Sequence, residues 1–109
     1  MYSTEAFTAA DTLTKEESGK LCTNEGAGGD VALTLPQDAE GGCRFTFLVV
    51  AAHYLTITSG AAGAIYLNGT KGSDVGFIRE NVADELVTLI AIGNGDWFTV
   101  EATSGWAST

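Results

Sequence analysis

Hydrophobic and polar positions alternate with a period of two along most of this chain. In DVALTLP, Val31, Leu33 and Leu35 share one side, with Ala32 and Thr34 on the other. CRFTFLVV sets Phe45, Phe47 and Val49 against Arg44, Thr46 and Leu48, and YLTITS sets Leu55 and Ile57 against Tyr54, Thr56 and Thr58. ELVTLIAI and DWFTVEA continue the pattern. These runs are rich in β-branched and aromatic residues, which suit a pleated surface, so each predicts a strand. Helical spacing does not extend over ten residues anywhere.

The interruptions are as regular as the runs. Glycine-containing stretches fall at 26–29, 41–42, 60–63, 69–76 and 93–95. Pro36 ends a strand where a missing N–H does no harm, and PQDAEGG after it has room for one short helical turn. GNGD joins two alternating runs, and Asn-Gly is a hairpin signal, so LVTLIAI and WFTVEA should pair antiparallel. Seven or eight short strands with frequent turns predict an all-β protein, a compact antiparallel β-sandwich or β-barrel of jelly-roll or β-tulip type. The first twenty residues are polar and weakly periodic. They read as an N-terminal arm, either frayed or extended onto a neighbouring subunit, ahead of a single β domain over 21–109.

Composition narrows the partners. A length of 109 residues suits one domain, and 45% hydrophobic residues argue against disorder. Only 17% of residues are charged, against about 25% in typical domains, which suggests a surface partly covered by something else. The net charge of -9 argues against nucleic acid and anionic membrane as direct ligands, since both call for Lys and Arg. No basic start followed by an apolar block marks a signal peptide, and FLVVAAHYL is too short to cross a bilayer, so synthesis in a cytoplasm is expected. Cys22 and Cys43 fit no zinc spacing. They read as buried thiols in a reducing compartment, with a disulfide left open if both lie near the starts of neighbouring strands.

Catalytic chemistry finds little footing. His53 is the one histidine, and no G-x-S-x-G elbow supplies a nucleophile for it. The carboxylate pairs Glu16 and Glu17, Asp38 and Glu40, and Asp84 and Glu85 read as solvated loop residues, and no D-x-D-x-D-G run suggests calcium. GAGG and GAAG match no phosphate-binding pattern. No enzyme, cofactor or metal site is expected.

Trp97 starts a strand and reads first as core packing, whereas Trp106 lies three residues from the end and must pack on its own domain or on a partner. With Tyr2, Phe7 and Leu13 of the arm, the two tryptophans are the candidate interface residues.

The order GGDVALTLP, GCRFTFLVVAAHYLTITS, IYLNGTKGS and ELVTLIAIGNGDWFTVEATSGW, over residues 29–106, resembles small capsid decoration, or cement, proteins of tailed phages. In those proteins a VTLP strand precedes a G-x-R-F/Y-T-F strand, and a V-x-L-x-A-x-G-x-x-W-x-V hairpin ends in G-x-W. GDWF directly after GN, and the two cysteines, depart from that pattern. The resemblance implies an all-β homotrimer on the outer surface of a virion, bound to the major capsid protein and stabilising its lattice. Weak single contacts would add up through multivalency. Related modules occur in tail fibres, so a fibre, spike or adhesin binding host glycans through Tyr54, Tyr66 or Trp106 is the second expectation. A small hydrolase or lectin-like domain with a loop metal is the third.

Overall fold

The computed structural model describes residues 3–60 and 63–109. Over these residues the chain forms twelve short strands: β1 (Thr4–Ala6), β2 (Asp11–Thr12), β3 (Leu21–Thr23), β4 (Val31–Thr34), β5 (Arg44–Leu48), β6 (Leu55–Thr58), β7 (Ile65–Leu67), β8 (Thr70–Lys71), β9 (Phe77–Glu80), β10 (Leu86–Ala91), β11 (Trp97–Ala102) and β12 (Ala107–Ser108). A 3-10 turn over Lys15–Glu17 is the helical part, and PQDAEGG forms plain turns. The five alternating runs are β4, β5, β6, β10 and β11. Six further strands have only two or three residues, too few to show any period, which is why the count exceeds the seven or eight expected.

The strands make a seven-stranded sheet, ordered β1-β3-β5-β10-β11-β7-β8, and a five-stranded sheet, ordered β12-β9-β6-β4-β2. From β1 to β6 the chain alternates between sheets, so each strand lies beside the one two earlier and parallel to it: β1 with β3, β3 with β5, β2 with β4 and β4 with β6. A parallel pair needs a crossover, and here the crossover is a strand of the opposite sheet. The second half is mostly antiparallel, with β7 and β11 its parallel pair. β10 pairs antiparallel with both β5 and β11, and β9 with both β6 and β12. The predicted hairpin is present, with Ala91 opposite Trp97. The all-β expectation therefore holds, but the sheets are mixed and not antiparallel throughout. Alternation records which face is buried and is blind to strand direction.

One core fills the space between the sheets. Phe45, Phe47, Leu89 and Trp97 enter it from the larger sheet, and Leu33, Leu55, Ile57 and Ile78 from the smaller. The ring of Phe45 lies 6.1 Å from that of Trp97 and 6.3 Å from that of Phe47, in tilted arrangements that suit aromatic quadrupoles. Gly63 has φ +86, and a Cβ there would stand 1.9 Å from the Gly95 carbonyl oxygen, so only glycine fits where these two loops touch.

The segment expected to be an arm belongs to this body. β1 and β2 extend both sheets, and Phe7 and Leu13 are buried in the shared core. Lys20 Nζ bonds Glu5 Oε1 at 2.6 Å and also Glu17, which fastens β1 and the 3-10 turn to the start of β3. Cys22 and Cys43 are buried free thiols. Cys22 stands opposite Phe47, so Cys43 lies roughly 13 Å along the neighbouring strand, too far for a bridge.

Candidate functional site

The two-residue period puts one face of each sheet in the core and the other outside. On the larger sheet the outside positions form transverse rows. One row reads Arg44, Ile90, Phe98, Tyr66 and Lys71 across β5, β10, β11, β7 and β8. The next reads Thr4, Leu21, Thr46, Thr88 and Glu101 across β1, β3, β5, β10 and β11. Leu48 and Leu86 lie opposite each other beyond it. Leu21, Leu48, Leu86, Ile90, Phe98 and Tyr66 are all half-buried, although among the described residues no second sheet lies over them. Tyr66 and Phe98 stack with ring centroids 4.4 Å apart, so each ring has one face already occupied.

Polar groups within this face are tied to one another. The Thr46 and Thr88 hydroxyls lie 2.9 Å apart, and Thr88 Oγ1 is 3.5 Å from Glu101 Oε1. The bulge at Thr88 and Leu89 slips the register of β11 and leaves Val100 projecting. At the β1 side, Thr4, Leu21, Arg44, Thr46 and Leu86 line a shallow groove of about 400 Å³. Charge is distributed unevenly. Glu101 is the one carboxylate in these rows, which also hold Arg44 and Lys71. The other acids lie in loops, in the 3-10 turn, at the edge strands β1 and β2, or, for Glu80, buried.

One end of the body is acidic. Asn24, fully buried, organises it. Its Oδ1 accepts from the N–H groups of Val50 and Ala51, and its Nδ2 donates to the carbonyls of Ala51 and His53. Asp30 Oδ1 accepts from Tyr54 N–H, and Val49 exchanges backbone bonds with Asp84 and Glu85. The loops at 24–30, 49–54 and 81–85 are thereby gathered together. They carry Glu25, Asp30, Asp84 and Glu85 and no Lys or Arg. Gly105 lies against the same end. Its φ is +98, and a Cβ would meet Glu80 Oε2 at 2.4 Å. Glu80 Oε1 accepts from Asn81 and Val82 N–H.

Of the candidate interface residues, Trp97 takes the core position expected of it first and Trp106 packs on its own domain, whereas Phe7 and Leu13 lie in the core and not on an arm. Phe7, Leu13, Trp97 and Trp106 are at most 8% exposed and belong to the core, so none offers a surface to a partner. Phe7, Leu13 and Trp106 are large apolar groups in polar or terminal stretches, and the fold itself supplies their cover. Trp106 Nε1–H donates to the Leu86 carbonyl at 3.1 Å, which fixes the last turn before β12. Tyr2 lies outside the described residues. Of the glycan candidates, Trp106 is inside, Tyr54 is covered by the Arg79 guanidinium at 4.2 Å, and Tyr66 is stacked on Phe98.

Among the described residues no three His, Cys, Asp or Glu side chains come together as a metal site. His53 sits half-buried in the loop held by Asn24. Glu17 is held below the usual carboxylate range, first by its bond with Lys20 and then by the Thr14 backbone, and the same ion pair raises Lys20. Burial pushes the Cys22 thiol up to about 12 and raises Cys43 as well, so both behave as apolar core groups.

The outer face of the larger sheet carried a sequence signal that alternation obscured. In LVTLIA the apolar residues occupy both phases, Leu86 and Ile90 as well as Val87 and Leu89. A strand apolar on both sides is covered on both sides in most sheets. No protein-family model matches the chain, and a search of curated proteins found no relative.

Proposed function

We propose that this protein is a structural coat unit, a capsid decoration protein that binds the outer surface of a phage head as a multimer and stabilises the major capsid protein lattice. The observation that carries this reading is the half-buried apolar face of the seven-stranded sheet on a chain of net charge -9. Surfaces rich in Leu, Ile, Phe and Tyr with charges at the margin are what protein contacts use. The sequence elements behind the resemblance support it too, because each falls on defined structural parts: β4, then β5 and β6, then β7 and β8, then the β10–β11 hairpin and the Trp106 turn. A sandwich of jelly-roll or β-tulip type is the architecture this reading assigns to the two sheets.

A decoration protein acts by binding the assembled lattice better than free subunits, and copies that engage together gain by avidity. The test is copy number. Quantitative mass spectrometry of purified particles from the producing strain should find this chain at hundreds of copies per particle. A handful of copies would favour a fibre or spike component binding host glycans. Absence from particles would overturn both.

A further inference from the structure

Two patches of this molecule are complementary to each other. The outer face of the larger sheet joins apolar side chains to Arg44 and Lys71, two of the five cations; Glu101 is the one carboxylate in its rows, and Asp74 stands 3.8 Å from Lys71 at the β8 margin. The loop end gathered by Asn24 joins Glu25, Asp30, Asp84 and Glu85 to two exposed apolar side chains, Val50 at 40% and Val82 at 54%, and keeps an acidic excess even with the Arg79 guanidinium lying over Tyr54. The patches adjoin at the Leu86 end of β10, where the 81–85 loop leads into that strand.

We infer that the occupant of the sheet face is the acidic loop end of a second copy of this chain. This rests on the coat-unit reading and adds the identity of the two surfaces. The contact is heterologous: the face of one copy meets the end of the next, and each copy keeps one free patch for a further neighbour until a ring closes. Apolar groups meet Val50 and Val82, while Arg44 and Lys71 at the ends of their row meet carboxylates. A face-to-face dimer would instead set Arg44 and Lys71 against the same cations, with Glu101 and the Asp74 already beside Lys71 to answer them. Six strand spacings by about five residues give the face an area of roughly 500 Å². This is less than the roughly 800 Å² per partner of a standard interface, so association in dilute solution should be weak and concentration-dependent.

Charge reversal tests the orientation. Sedimentation velocity from about 10 to about 500 µM should show the wild type moving to larger species as concentration rises. R44E/K71E carries two negative patches and E25K/E85K two that are neutralised or positive, so each alone should remain monomeric. Mixed in equal amounts they should associate again, because each supplies the patch the other lacks. Near-ultraviolet circular dichroism and thermal melting of each variant check that folding is retained, and recovery in the mixture is itself proof of folded partners. A wild type that stays monomeric at the top concentration overturns the inference. So does E25K/E85K associating by itself, since a face-to-face contact would leave its face intact. None of these results depends on particle copy number, so the coat-unit reading and this one fail separately.

Discussion

Asn24 shows how much one side chain can organise. It is fully buried, yet all four of its polar contacts are met by backbone groups of the 50–53 loop. Replacing it with alanine takes the side-chain partner from the Val50 and Ala51 N–H groups and from the His53 carbonyl, whereas the Ala51 carbonyl keeps the His53 N–H. Each such orphan costs about 1 to 3 kcal/mol, partly recovered where the loop relaxes towards solvent. Asn24→Ala should therefore lower unfolding free energy by about 3 kcal/mol in urea denaturation. Asn24→Asp retains the two acceptor bonds but aims a second oxygen at the Ala51 and His53 carbonyls. It should be no better than alanine, and an aspartate variant as stable as wild type would show that the amide donors contribute nothing. The same substitutions should loosen the acidic end and weaken self-association beyond what the stability loss alone explains.

At the scale of elements, the first twenty residues carry the lesson. Phe7 and Leu13 are the only large apolar groups between β1 and the 3-10 turn, spaced without any period. Each nevertheless fills a core position because β1 and β2 each give the winding one more strand. Phe7→Ala should cost about 3 to 4 kcal/mol by removing a buried ring, measured by thermal or chemical denaturation. An arm would lose nothing. The ion pairs of Lys20 belong to the same corner. The folded-state value of Glu17 is depressed, so its contribution is present above the ordinary carboxylate value of 4.5 and fades as pH falls through the lower folded value. Lys20 is raised, so its share is complete below 10.5 and is lost only at still higher pH. Lys20→Met should be destabilised by about 1 kcal/mol at pH 7, a modest figure because Glu5 and Glu17 remain partly wet. The gap from wild type should narrow below pH 4, as followed by melting temperature across a pH series. An alternating strand such as β5 was legible in the sequence because period two survives over all five of its residues, and in β11 it survives up to the bulge at Val100. The hairpin was legible because Asn94 and its flanking glycines mark the turn. The parallel winding was not, since direction depends on which sheet each connection reaches, and two-residue strands leave no imprint. The sheet face was half-legible: Leu86 and Ile90 broke the alternation, but nothing in β10 alone told which partner strands would set Leu21, Phe98 and Tyr66 beside them.

For the whole molecule, charge placement separates two ways in which an acidic protein could associate. If contact were purely apolar, added salt would strengthen it or leave it unchanged, because salt screens the repulsion between bodies of charge -9. A face carrying Arg44 and Lys71 set against an end carrying Glu25, Asp30, Asp84 and Glu85 behaves in the opposite sense. Its attraction acts over short distances between exposed groups, so it is screened along with the general repulsion, and the screening length falls from about 10 Å at 0.1 M to about 3 Å at 1 M. Steering by these charges also speeds encounter, so the loss appears mainly in the association rate. Raising NaCl from about 0.05 to about 0.5 M should weaken self-association by about tenfold, with the change confined largely to the on-rate in surface plasmon resonance. The R44E/K71E and E25K/E85K mixture should lose affinity in parallel, since its pairs are the same charges exchanged. An affinity that rises with salt would mean that the apolar rows alone hold the copies together, and that the acidic end faces solvent or another protein.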